Sequence, residues 1–219
     1  LNLNPKIQLT LDCGFWSKES VDGIADITIS ADKTVARIQD VISPLAVLHY
    51  VFVASPKYLD IYGTPKSAAS AAGDHRTLKH VAQTFQRENW SKRASAVEAL
   101  STFSIETNSS GTLVTAVVNG SGIATMPSYF CHLYPDLVLI EDMSTPIQLW
   151  LTVRHEVCHS LRVQRVVKWL ERMFDTKTNP WFRDEFVHPS AFAAEVAAAP
   201  SRSARETAAD QGEDDRRQV

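Results

Sequence analysis

Apolar and polar residues alternate with a period of two over residues 6–11, where Ile7, Leu9 and Leu11 are interleaved with Lys6, Gln8 and Thr10. This is the pattern of a strand with one buried face. Residues 24–30 and 50–54 are short runs rich in β-branched and aromatic residues, and they predict two more strands. Pro56 then opens a short helix that Gly63 closes, with Pro65 just beyond. Residues 67–92 are polar and irregular and predict no element. A strand near 103–105 follows. Asn108, Ser109 and Ser110 supply N-cap oxygens for a helix whose apolar stripe is Leu113, Val114, Val117 and Val118 and whose end is Asn119-Gly120. Strands are predicted at 122–126 and 137–140. Ile147, Leu149, Leu151 and Val153 alternate with polar or larger residues in a further strand, and Val163, Val166, Val167, Leu170 and Phe174 then mark one face of a helix capped by Ser160. Strands alternating with helices predict an α/β fold with a mostly parallel sheet covered on both faces.

Composition narrows the class. With 219 residues, 44% hydrophobic and 21% charged, the chain has the make-up of a globular protein of one domain or two small lobes. Twenty-two Lys and Arg against 25 Asp and Glu give a net charge of -3, too weak a field to hold DNA phosphates by counterion release. No apolar run reaches the roughly 18–20 residues of a spanning helix, so no membrane is implied. Three widely spaced cysteines, Cys13, Cys131 and Cys158, cannot all pair with one another and favour a reducing compartment, hence a cytoplasmic location. The chain begins without Met and reads as a fragment. Beyond Pro189 it turns Ala-rich and then charged, so residues 190–219 are expected to be a disordered tail.

One motif invites a metal. His155-Glu156-Val157-Cys158-His159 matches H-E-x-x-H, in which two imidazoles one helical turn apart grip zinc and the glutamate serves as base. That geometry requires a helix through the motif. Here strand alternation runs up to Val153 and helical periodicity starts only after Ser160, so the pentapeptide is expected on a connecting loop, with no metal and no catalytic residue. A zinc metallopeptidase using His155, Glu156 and His159 stays as the alternative that metal content decides.

Three patterns, taken in order, resemble the effector-binding domain of LysR-type transcriptional regulators. The first is Val21-Asp22-Gly23-Ile24-Ala25-Asp26-Ile27-Thr28-Ile29-Ser30. The second is Phe52-Val53-Ala54-Ser55-Pro56-Lys57-Tyr58-Leu59 with Gly63-Thr64-Pro65. The third joins Gly120-Ser121-Gly122-Ile123-Ala124-Thr125-Met126-Pro127 to Arg162-Val163-Gln164-Arg165-Val166-Val167-Lys168-Trp169-Leu170. The resemblance spans about residues 5–175.

It implies two Rossmann-like α/β lobes joined by two crossover strands, a plan similar to periplasmic binding proteins of type 2, with a small-molecule effector in the cleft and no cofactor. The crossings would lie near 51–55 and 137–141. Lobe I would then be residues 1–53 and 141–176, and lobe II residues 54–140. Effector-contacting positions implied by the match are Ser55, Asn108 and Ser109, with Thr28, Ser30 and Thr125 beside strand ends. The family's winged helix-turn-helix would lie upstream of Leu1, so DNA would be reached only through that absent part, and the full-length parent would be a homo-oligomer. An extracytoplasmic solute-binding protein of the same two-lobe plan is the second alternative.

Overall fold

The computed structural model describes residues 7–13, 25–33, 36–66, 70, 73–81, 103–140 and 144–198. Its strands are β1 (Ile27–Ser30), β2 (Val41–Ala54), β3 (Thr77–His80), β4 (Phe103–Thr107), β5 (Ile123–Pro127), β6 (Val138–Leu139) and β7 (Thr145–Val153). The helices are α1 (Pro56–Tyr62), α2 (Ser110–Val118), α3 (Tyr129–Leu133), α4 (Leu161–Met173) and α5 (Phe192–Ala198).

All strands join one sheet in the order β1-β7-β2-β5-β3-β4, with β6 also on β2. The expected mostly parallel sheet is corrected. β7 is antiparallel to β1 and β2, and β2 is antiparallel to β5 and β6; only β3 pairs in parallel, with β4 and β5. The cause is the path of the chain. It leaves along β2 and comes back beside it on β5, β6 and β7, and a strand that returns next to its outgoing partner runs against it.

β2 is the long organiser of the sheet. Its first half was not foreseen, because Pro44 interrupts the apolar run and a proline normally excludes an interior strand position. The fold accommodates it by a bulge, the register against β7 shifting between Pro44 and Ala46. β3 lies within the stretch read as irregular. Only Leu78 of its four residues is aliphatic, and it is held as a strand by ladders to β4 and β5 on its two sides. Conversely, residues 7–11 belong to no strand, and Leu11 is 80% exposed. Alternation makes a strand possible, but a ladder partner makes it real, and none of the described strands pairs there.

α2 lays Leu113, Val114 and Val117 on Val51, Val53, Leu78, Ala124 and Met126, and Phe130 and Cys131 of α3 close the same core. The glycines of the Gly120-Ser121-Gly122 stretch have distinct reasons. Gly120 ends α2 at φ 85°, the left-handed region that a Cβ disfavours. Gly122 passes so close to Arg76 that a Cβ there would stand 2.5 Å from its carbonyl oxygen.

After α4 the chain continues through a 3-10 turn at Pro180–Phe182 and another at Pro189–Ala191 into α5. This corrects the expected disordered tail for residues 190–198, where Phe192 is 2% exposed. The Ala-rich composition hid the aromatic anchors that precede it, with Phe192 at its start. The remainder of that tail lies outside the described residues.

Candidate functional site

The sheet has a junction at Tyr50. On one edge Tyr50 is the last residue of β2 to pair with β7, opposite Thr145; on the other edge it is the first to pair with β5, opposite Pro127. Residues Val41 to Tyr50 therefore belong to a β1-β7-β2 half, and residues from Tyr50 onward to a β2-β5-β3-β4 half. The two segments expected as crossings are neighbours here, Val53 pairing with Leu139 and Ala54 with Val138.

Strand direction fixes what faces this junction. β1 runs the same way as β2, since both oppose β7, and its last residue Ser30 shares a rung with Trp150 and Pro44, so its carboxyl end points toward Tyr50. In the other half β5 ends at Pro127 beside Tyr50, and β3 and β4 run parallel to it, ending at His80 and Thr107, which pair with each other. Carboxyl ends of strands from both halves thus point at one place, which is where open α/β sheets hold ligands.

Several of the expected residues stand at these ends. Thr28 and Ser30 are half-buried on β1, and the Ser30 hydroxyl accepts a hydrogen bond from the Asp32 N–H at 3.0 Å. Thr125 is half-buried on β5 opposite Phe52. Asn108 and Ser109 are exposed in the turn from β4 into α2. Ser109 is the N-cap of α2, its hydroxyl accepting from the Thr112 N–H at 3.2 Å, and its own N–H donates to the Thr107 hydroxyl at 3.1 Å. The cap satisfies one of the free N–H groups that begin a helix and leaves others pointing outward, with the positive end of the helix dipole behind them.

His80 was missed by the sequence reading because β3 itself was missed. Its Nε2 lies 3.3 Å from the Ser110 hydroxyl, which ties the end of β3 to the first turn of α2. Burial holds its pKa below the usual imidazole value.

Ser55 stands apart. It lies five residues beyond Tyr50, roughly 17 Å at the rise of a strand, at the end of the sheet opposite to His80 and Ser109. It is 3% exposed, and among the described residues its hydroxyl has no hydrogen-bond partner. Its carbonyl accepts from the Tyr58 and Leu59 N–H groups to start α1, while its neighbours Ala54, Tyr58 and Ile123 form a small apolar cluster. The structure therefore brings Asn108, Ser109 and Thr125 to the same end of the β5-β3-β4 half and separates Ser55 from them.

The His155-to-His159 pentapeptide follows β7 directly. His155–Val157 form a 3-10 turn, Cys158 and His159 continue it as a turn, and α4 begins at Leu161 after its N-cap Ser160. The i, i+4 geometry of a zinc-binding helix is not formed. Glu156 is engaged instead, accepting from Arg37 at 2.8 Å and Arg154 at 3.3 Å. Its own backbone N–H, then Arg37 and Arg154, hold its carboxyl down to about 2, far below what a general base at neutral pH requires. Asp40 completes the clamp. It accepts from the Arg37 backbone at 3.0 Å, the Arg37 side chain at 3.2 Å and the His155 N–H at 3.2 Å. Burial alone would raise its pKa, but these bonds outweigh that and leave it below the ordinary value. Among the described residues no group of three or more His, Cys, Asp or Glu side chains is placed to hold a metal ion.

The family model for the LysR substrate binding domain matches residues 1–175. The chain belongs to that family. Its fold is accordingly the periplasmic-binding-protein-like plan of type 2, here as a mixed α/β open sheet. Among solved structures, the full-length virulence activator AphB of Vibrio cholerae, a member of the LTTR protein family, aligns at TM-score 0.59 and 15% identity over 78% of this chain and 60% of its own. The regulatory domain of MetR, a LysR family regulator from Neisseria meningitidis, aligns at TM-score 0.55 and 14% identity over 78% and 82%. CrgA, a LysR-type transcriptional regulator from Neisseria meningitidis, aligns at TM-score 0.54 and 17% identity over 68% and 52%. The chain thus spans about half the length of that CrgA chain. No curated protein matches. Among the described residues no helix is long and apolar enough to cross a membrane.

Proposed function

We propose that this LysR-type regulatory domain senses a small anionic effector held at the junction around Tyr50, between the carboxyl end of β1 on one side and those of β3, β4 and β5 on the other. The observation that carries the reading is the change of partner at Tyr50, with strand ends from both halves directed at it. On this reading the two halves are the two lobes, and the border lies at Tyr50, a few residues earlier than the 53/54 division expected from sequence. The first turn of α2 supplies N–H groups suited to an anion. Asn108, Ser109, His80 and Thr125 of one half then read its polar atoms, with Ser30 and Thr28 on β1 of the other half, and Ser55 plays no part in contact.

LysR-type regulators bind small molecules and act on DNA as oligomers. For the parent of this chain we take DNA contact through an N-terminal winged helix-turn-helix, homo-oligomerisation, a cytoplasmic location and no enzymatic activity as parts of the same proposal. The family match supports a regulator over an extracytoplasmic solute-binding protein of similar plan, and the 3-10 turn at His155 supports it over a zinc peptidase.

A thermal-shift screen of small carboxylates against the purified chain tests the reading. A ligand at 100 times its Kd stabilises the folded state by about 2.7 kcal/mol. We expect that shift to be lost in His80→Ala and Asn108→Ala and kept in Ser55→Ala. A shift abolished by Ser55→Ala and kept in the other two places the ligand elsewhere.

A further inference from the structure

Residues 176–198 lie beyond the part of the chain that the family model matches, yet they are packed onto the body of the domain at both sides of the Tyr50 junction. The segment leaves α4, the helix that follows β7 in the chain, through Phe174, whose ring meets Phe182 at 4.8 Å. It then reaches the other half. Trp181 stacks on His132 of α3 with ring centres 4.4 Å apart and planes at 27°, and Phe182 meets Tyr129 of the same helix at 6.3 Å. The Pro189–Ala191 turn also lies against α3, and Phe186 packs onto the core formed by Val51, Val53, Leu113 and Met126.

Between these points it crosses the junction itself. His49, one residue before Tyr50 and 3% exposed, holds the Arg183 carbonyl through Nε2 at 2.9 Å and the Ser144 hydroxyl through Nδ1 at 3.1 Å, while Phe186 covers its ring at 5.5 Å. A carbonyl only accepts, so Nε2 carries the proton in that bond. Ser144 is the residue before β7. One imidazole therefore joins the outgoing strand β2, the returning strand β7 and the C-terminal segment. The far end is fastened too, because Arg183 pairs with Glu195 of α5 at 2.9 Å and Trp181 meets Phe192 edge-on at 5.4 Å.

We infer that residues 176–198 are a strap that bridges the two lobes across the hinge and limits how far they move relative to one another. This rests on the two-lobe reading above. Two backbone crossings alone leave a hinge free to bend about the line through them. A third connection, set off from that line and packed through aromatic rings, must shear or peel before the lobes can reorient, and aromatic pairs of this kind add to the cost of separation. The strap thus sets the range of motion within which an effector would select one lobe arrangement.

Double electron-electron resonance on the full chain tests this. Spin labels are placed on α4 through Arg165→Cys and on α1 through Asp60→Cys, with Cys13 and Cys158 changed to Ser and the buried Cys131 kept. With the strap intact a single narrow distance distribution is expected. Trp181→Ala with Phe186→Ala, and a chain ending at Asp175, should each broaden it or add a separated population. His132→Ala removes the stacking partner of Trp181 at the surface without opening the core, and should broaden it less. Unchanged distributions in the variants that fold, His132→Ala included, overturn the strap. The measurement needs no effector. An inert strap with an intact carboxylate shift leaves the effector reading standing, whereas a failed screen with a broadened distribution leaves the strap standing.

Discussion

Gly122 of the β5 approach and Arg76 of the β3 approach are separated by a gap that admits a hydrogen and nothing larger. A Cβ at Gly122 would meet the Arg76 carbonyl oxygen at 2.5 Å, and that same oxygen accepts the Ile123 N–H at 2.9 Å. Gly122→Ala must therefore push β3 off β5 or break the bond that starts their parallel ladder. We expect a loss of about 1–3 kcal/mol, the range for overpacking a close contact, measured by urea unfolding. Gly120→Ala should cost about 1 kcal/mol for a different reason, the left-handed φ of 85°.

Ser55→Ala should do the opposite. Its hydroxyl is buried with no partner among the described residues, and leaving such a group unsatisfied costs about 1–3 kcal/mol. Replacing it with a methyl removes that cost, so the variant is expected to be as stable as the parent or up to about 1 kcal/mol more stable in the same unfolding experiment. A clear loss of stability would mean that the hydroxyl finds a partner in solution.

The Arg37-Asp40-Glu156 clamp makes a pH-dependent contribution whose sign is fixed by its depressed carboxylates. Glu156 falls from an ordinary value of 4.5 to about 2 in the folded chain. Its contribution is fully present above the unfolded value and disappears as the pH falls through the folded one. Glu156→Gln should therefore lower the melting temperature at pH 7, and the gap to the parent should close between about pH 4.5 and pH 2. The group is exposed, so the gap at pH 7 should be small and should shrink further at high salt.

Zinc should have no hold on the same segment. Because His155–Val157 form a 3-10 turn and α4 starts only at Leu161, adding a chelator or zinc at micromolar concentration is expected to leave the melting temperature of the parent unchanged, as is His159→Ala. A chelator-dependent drop that His159→Ala abolishes would restore the metal reading.

Much of this fold is visible along the chain, for reasons that differ by element. β7 and α4 were readable because their burial periods, two and about 3.6, change between Val153 and Ser160, and this change also placed the pentapeptide outside a helix. α2 announced itself by its Ser109 cap and its Gly120 exit. β3 and the first half of β2 were not readable, since one has a single aliphatic residue and the other a proline; β3 is a strand because β4 and β5 complete it on its two sides, and the first half of β2 because β7 pairs along its length. Ser55 shows the limit for site residues. A serine before a proline-initiated helix looks the same at either end of a sheet, and only the direction of β2 against β5 tells which end it occupies. His80 was out of reach because β3, the strand that it ends, was not readable.

A consequence follows from the shared strand β2. Every second residue from Val47 to Val53 enters an interior, first beside β7 and then beside β5. A slip of one residue in its alignment would turn both interiors inside out together. Neither half can acquire its correct alignment while the other is misaligned, so denaturation of the chain should be a single concerted event rather than two successive ones.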